Sequence, residues 1–373
     1  MALVEVGFRD LGFEYWLAWC RSPLEGRSQR WVPHGMPRLS PILSNAAFFI
    51  YRRDPKTGLI EGPVGTGVLI GVPRKHGLGY LRHLYAVTAH HVAPKDGSII
   101  RVNTKDGESR LIELEPDQWQ FEPKGDDVSA FDVTERVSVT TDEVSAIPAN
   151  LLVSWEFIDE VELGIGEDGF MLGLFADLPG ENWNMVAARF GNVSLRADEA
   201  IPIQQPNGNL RPSHLFDMHS RPGFSGSPVF VYRTPSGDLR EASERGRLER
   251  FRRMSDRAFG GESRLQEFAK DIENEKNTFL MLLGIHVAQY HEKVEARKES
   301  ALNPRAEDDN IIRDRDKLRL PSSMAVVAPS WEITKLLDLP VFDEKRRLRE
   351  MADDKEDENK PVPESPSGSA QEA

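Results

Sequence analysis

The chain of 373 residues has one cysteine, Cys20, so no internal disulfide can form. Without that staple a secreted origin is disfavoured and a reducing compartment fits. No run reaches 18 consecutive apolar residues, which excludes a hydrophobic membrane-spanning helix. A secretory leader is not legible either: Glu5, Arg9, Asp10 and Glu14 interrupt the apolar core it would need. These absences make a cytoplasmic location the expectation. Excess positive charge is missing too. The net charge of −13 argues against nucleic acid or an anionic membrane as the main partner. No solenoid-type internal repeat is visible.

What is present is a series of short strand-forming runs. Residues 1–44 read as an N-terminal extension, with Trp16, Trp19 and Trp31 placed to pack on something. From residue 45 the texture becomes β. "NAAFFIYRR", "GTGVLIGVP" and "LYAVTAHHV" are followed by "RLIELEP", "VSAFDV", "GFMLGLF", "MVAARFGNVSL", "SPVFVY" and "FLMLLGIHVAQ". Many short strands at close spacing predict an all-β protein. The pattern divides into a first unit over 45–150, a second over 151–342, and a tail from 343 to 373. Residues 235–277, dense in Arg and Glu, read as an exposed helical insertion within the second unit, and 290–320 as a long loop. "SSMAVVAPSWEITKLLDL" predicts a last strand and a short helix, with Ser330 as its cap and Glu332 in its first turn. The acidic tail, rich in Lys, Glu, Asp, Pro and Ser, is predicted to be disordered.

Three stretches carry chemistry. An apolar strand ends in Thr88-Ala89-His90-His91; "GDDVSAFDV" places acids before a half-apolar strand; "SRPGFSGSPVF" holds Ser225 between two residues that flank it with glycines. Each alone is unspecific. Together they supply what a nucleophilic serine requires, namely a base to take its proton and an acid to hold that base in one tautomer. The order is His91, Asp127, Ser225, at sequence separations of 36 and 98. Gly223, two residues before Ser225, can turn its amide inward, so that the N–H groups of Gly223 and Ser225 form an oxyanion hole.

With these residues the chain resembles the trypsin-like serine protease superfamily, in its bacterial, disulfide-free branch, close in type to glutamyl endopeptidase and HtrA-type protease domains. "VTAHHV" is similar to the family's Thr-Ala-x-His motif, which implies His91 rather than His90. "DDVSAF" is similar to its Asp-(Ile/Val)-Ala motif, which implies Asp127, with Asp126 adjacent. "PGFSGSPVF" is similar to Gly-x-Ser-Gly-Gly-Pro, with Ser227 at the second glycine. The resemblance, over roughly 45–340, implies two six-stranded antiparallel β-barrels of chymotrypsin type. It also implies a serine endopeptidase acting on a protein or peptide through an acyl-enzyme, with no metal or cofactor. Phe224 stands where the family's zymogen-activated members carry Asp, so activation by a freed N-terminus is not implied. "LLGIHVAQ" aligns with a wall of the primary specificity pocket. It implies that His286, with His219 near the pocket base, receives Glu or Gln before the scissile bond.

A second expectation is a latent or non-catalytic double barrel that senses or binds. The insertion 235–277 is then a candidate docking arm for a regulatory protein partner. A lipid or ester hydrolase would need a strand-to-helix nucleophile elbow in an alternating sheet, and neither is present.

Overall fold

The computed structural model describes residues 39–54, 56–74, 82–93, 98–138, 140–175, 178–234, 279–295 and 317–358. The expected insertion 235–277, residues 1–38 of the extension and 359–373 of the tail lie outside the described residues.

The first unit begins with a one-and-a-half-turn helix, α1 (Pro41–Asn45), whose Ser40 caps the amide of Ile42. Seven strands follow: β1 (Ala47–Arg53), β2 (Ile60–Pro73), β3 (Arg82–Ala89), β4 (Ser98–Asn103), β5 (Ser109–Leu114), β6 (Val128–Asp132) and the short β7 (Ile147–Pro148). They hydrogen-bond in the order β5-β4-β1-β2-β3-β6, with β7 parallel to β2. Strand β1 is buried on both faces. Phe48 and Ile50 enter the main core, while Phe49 and Tyr51 join Ile99 and Leu174 on the other side. Fully burying one such aromatic is worth about 2–3 kcal/mol, so this strand is a stable platform.

The second unit has α2 (Trp155–Glu160), capped by Ser154, then β8 (Asp168–Leu174), β9 (Val186–Leu195), the small pair β10 (Ile203–Gln204) and β11 (Leu210–Arg211), and β12 (His214–Asp217). Strands β13 (Pro228–Arg233), β14 (Phe279–Glu295) and β15 (Lys317–Pro329) complete a closed barrel, β12-β15-β14-β13-β8-β9. Phe170 stacks on Phe230 at 5.1 Å within it. Two helices end the described chain, α3 (Ser330–Leu337) and α4 (Pro340–Glu358).

Four expectations require correction. The mostly-β class and one closed six-stranded barrel are present, but the first unit is a curled sheet rather than a second closed barrel among the described residues. Between the β5 and β6 edges Gln120 and Ala130 exchange backbone hydrogen bonds of 2.8 and 2.9 Å, and Arg136 donates to Glu113 O at 2.8 Å. The loop expected over 290–320 is partly strand, since β14 and β15 pair out to Glu295 and Lys317. A charged ribbon can satisfy its backbone in this way with no core beneath it.

Ser330 does not cap α3. Pro329 holds that position, and Ser330 Oγ instead donates to Val153 O at 2.7 Å, tying the helix to the second unit.

The tail expected to be disordered from 343 is helical to Glu358. Its polar composition hides one anchor and several ionic ones. Phe342 is buried edge-on against Tyr85, ring centres 5.0 Å apart. Arg346 donates to Tyr85 Oη at 3.1 Å, Arg349 pairs with the buried Asp132 at 2.8 Å, and Asp353 pairs with Arg74.

Candidate functional site

The site sits where the C-terminal end of β3 and the loop before β6 meet the loop before β13. Strand β3 carries the backbone straight to His90 and His91. Arg52 Nη2 holds the His91 carbonyl at 3.2 Å, and His90 N–H donates to Asp127 O at 3.1 Å.

Asp127 grips His91 twice. Its Oδ2 lies 2.5 Å from His91 Nδ1, and its Oδ1 accepts the His91 backbone N–H at 2.9 Å. A carboxylate on Nδ1 fixes the hydrogen there and leaves Nε2 as the basic nitrogen. Burial pushes the Asp127 carboxyl up, but hydrogen bonding to His91 and its charge outweigh this and hold it below the usual carboxylate range. The neighbouring Asp126 faces away, accepting from Gln205 Nε2 at 3.1 Å and from the Asp127 amide at 2.8 Å. Burial raises its pKa, and its other oxygen has no partner among the described residues. His90 is turned aside as well, bonded to Ser129 Oγ at 2.7 Å and lying 4.1 Å from the Phe121 ring. A cleft of about 300 Å³ opens beside His90, His91, Asp126, Gln205 and Arg211.

The serine loop is pinned against the same edge. Gly226 has φ +85° and lies so close to β2 and β3 that an added Cβ would be 2.0 Å from Thr66 O and 2.1 Å from Thr88 Oγ1. A Cβ added at Gly65 would be 2.4 Å from Val92 and 3.1 Å from the Ser225 carbonyl, so the loop carrying Ser225 and the residue after His91 close in on one glycine. The Ser225 hydroxyl is half-buried and has no hydrogen bond to His91 among the described residues.

The loop amides divide into two sets. Phe224 N–H donates to Arg221 O at 3.1 Å, Gly226 N–H to His286 O at 2.8 Å, and Ser227 N–H to Phe224 O at 3.0 Å. Between Gly223 and Ser227, the N–H groups of Gly223 and Ser225 are the two that donate to no group among the described residues. Gly223 itself has φ +95°, a conformation glycine takes at no cost. Phe224 is fully buried in the second unit's core, with the Arg189 guanidinium 5.2 Å over its ring.

His286 on β14 is buried, and its Nδ1 lies 3.2 Å from Phe224 O. A carbonyl can only accept, so Nδ1 carries the hydrogen and Nε2 is an acceptor. Burial lowers the His286 pKa to about 4, with the Phe224 bond and Gln289 pulling the other way and the charge of His91 adding to the fall. His286 Nε2 and Gln289 Oε1 are both buried without a partner among the described residues. His219 is exposed on the loop after β12, and no hydrogen bond among the described residues joins it to His286 or Ser225. The sequence reading missed Thr66, Gln289 and the tight seat of Gly226. The string "GTGV", a polar residue between two glycines in a strand, was the available signal for the first.

Among the described residues no group of three or more His, Cys, Asp or Glu side chains is arranged to hold a metal ion, and no helix is long and apolar enough to cross a membrane. No protein-family model and no curated protein sequence matches the chain. Among solved structures it is similar to the active form of the Rv3671c protease from M. tuberculosis, at 13% identity and a TM-score of 0.38, covering 85% of this chain and 93% of that one. It is also similar to the tobacco vein mottling virus protease, at 11% identity and a TM-score of 0.29, covering 55% and 77%. Superpositions this loose carry no argument about activity, and the site stands on its own geometry.

Proposed function

We propose that the chain is a serine endopeptidase in which Ser225, His91 and Asp127 act together. The observation that carries this reading is the pairing of an oriented imidazole with a serine turn, 223–227, in which the amides of Gly223 and Ser225 are the two without partners among the described residues. Ser225 Oγ attacks the peptide carbonyl carbon while its proton passes to His91 Nε2. Charge collects on the carbonyl oxygen, which the two free amides receive. The C–N bond then breaks as His91 returns the proton to the leaving amine. Water, deprotonated by His91, hydrolyses the acyl ester and restores Ser225. Asp127 keeps His91 in the reactive tautomer throughout.

With His286 as the group that receives the residue before the scissile bond, Gln is favoured over Glu there. His286 Nε2 is a buried acceptor with no hydrogen bond among the described residues. A glutamine amide offers two N–H donors, whereas a glutamate carboxylate at neutral pH offers none. With its pKa near 4, His286 stays neutral at pH 7 and has no second proton to give a carboxylate. Cleavage-site profiling with a peptide library at neutral pH tests this. Gln enrichment is expected, while Glu, Arg or Leu enrichment would overturn the pocket assignment.

The latent reading is favoured by one observation, the missing Ser225–His91 hydrogen bond. In resting proteases such contacts are commonly long and tighten with substrate, so the catalytic reading is preferred.

A further inference from the structure

Thr66 is fully buried at the seam between the two units, and every polar atom it has is in use. Its N–H donates to the Ser225 carbonyl at 2.9 Å. Its hydroxyl donates to the Gly223 carbonyl at 2.9 Å and accepts from Leu174 N–H at 2.8 Å. Its own carbonyl accepts from Thr88 Oγ1 at 2.6 Å. Thr66 lies on β2, Thr88 on β3, the strand that leads to His91, and Leu174 at the end of β8. One residue thus joins the serine loop, the histidine strand and the second barrel, its hydroxyl to the first and last and its carbonyl to the strand.

The consequence follows from peptide geometry. A peptide plane fixes its carbonyl and its N–H in opposite directions. The Gly223 carbonyl held by Thr66 and the Phe224 N–H held by Arg221 O define the plane after Gly223. The Ser225 carbonyl held by Thr66 and the Gly226 N–H held by His286 O define the plane after Ser225. Both planes flanking Phe224-Ser225 are therefore clamped; the Ser225 amide lies between them, and the Gly223 amide is joined to the first of them through the Gly223 α-carbon, both unpartnered among the described residues. Phe224, sealed in the core beneath Arg189, removes the remaining freedom.

We propose that Thr66 is the positioning residue of the serine loop, and that its hydroxyl sets the oxyanion amides in a formed state without an activating cleavage or partner. This rests on the serine-protease reading for its catalytic meaning, but the positional claim stands by itself. Valine has threonine's shape without the hydroxyl, so Thr66→Val keeps the volume and leaves the Gly223 carbonyl and Leu174 N–H buried and unpaired. Serine restores the hydroxyl.

Two measurements on the full chain test the inference, with thermal melts to establish that each variant is folded. Hydrogen–deuterium exchange of peptides covering 220–230 is expected to rise in Thr66→Val and to stay at the wild-type level in Thr66→Ser. Labelling by a fluorophosphonate probe is expected to lose about 10²-fold in its limiting rate in Thr66→Val, with the half-saturating probe concentration unchanged. Thr66→Ser should recover most of that loss. Thr66→Ala takes the same tests where the valine variant does not fold. Unchanged exchange across 220–230 in the hydroxyl-deleted variant would overturn the inference, as would an unchanged limiting rate. Wild-type protein that exchanges as expected but never labels would instead count against the protease reading and leave the positional assignment supported.

Discussion

The carboxylate of Asp127 holds His91 at two points, the ring at 2.5 Å and the backbone amide at 2.9 Å, while the adjacent Asp126 holds Gln205. Two neighbouring acids in one turn thus have separate partners. Replacing Asp127 by Asn would keep the contact but allow the wrong tautomer. The expected loss is about 10³–10⁴-fold in turnover with little change in substrate affinity, as seen when a triad acid is made neutral. Asp126→Asn should stay within about threefold of wild type, since it leaves both His91 contacts in place. Steady-state kinetics on a peptide chosen by library profiling separates the two. Equal losses would mean that the acids share one role.

Gly226 is the tightest joint of the site. Gly226→Ala would drive a methyl group into Thr66 O and Thr88 Oγ1 at a backbone angle that alanine adopts only under strain. Strain of that kind alone costs on the order of 1–3 kcal/mol. A lowered melting temperature and a loss of fluorophosphonate labelling are expected together. A variant that melts and labels like wild type would show that the loop is not seated as described.

His214 gives the protein an acid limb. It is fully buried beside Trp331, accepting the Ala197 amide on Nδ1 at 3.0 Å. Burial lowers its pKa to about 3. Between that value and the unfolded value of 6.5, the unfolded chain binds a proton that the folded chain refuses. Stability therefore falls as pH drops through this window. The full effect is on the order of 4–5 kcal/mol. Denaturant melts from pH 7 to 3 should show a shallower decline in His214→Phe than in wild type. Parallel declines would assign the acid limb to other groups.

Phe342 anchors the terminal helix. Phe342→Ala should cost about 3–5 kcal/mol in the docking of α4, because the ring is buried and its removal leaves a cavity. Faster proteolysis after residue 340 and a lowered melting temperature are the readouts. No change in either would mean that the ionic contacts of Arg346 and Arg349 suffice.

Much of the site was legible because its chemistry lies in short strings. "TAHHV", "DDVSAF" and "GFSGSP" each combine an unusual residue with the turn that presents it. The choice between Asp126 and Asp127 was suggested only by resemblance, since adjacent residues differ in direction rather than in composition. Thr66 was not legible, because its role depends on carbonyls 157 and 159 positions away that only the packed seam brings to it. The helix α4 was misread for a related reason. Its composition is that of a solvated tail, and its order comes from one phenylalanine and a few arginines meeting partners on β3 and β6. The β texture predicted the class of the first unit but not whether its edges close, which depends on pairing at the Gln120–Ala130 bridge.

The account rests most directly on the reactivity of Ser225. Full-length protein treated with a fluorophosphonate and digested for mass analysis should carry the probe on the peptide containing Ser225. Labelling should disappear in Ser225→Ala and fall sharply in His91→Ala, with both variants melting like the wild type. Wild-type protein that takes up no probe, or takes it up on another residue, would contradict the account.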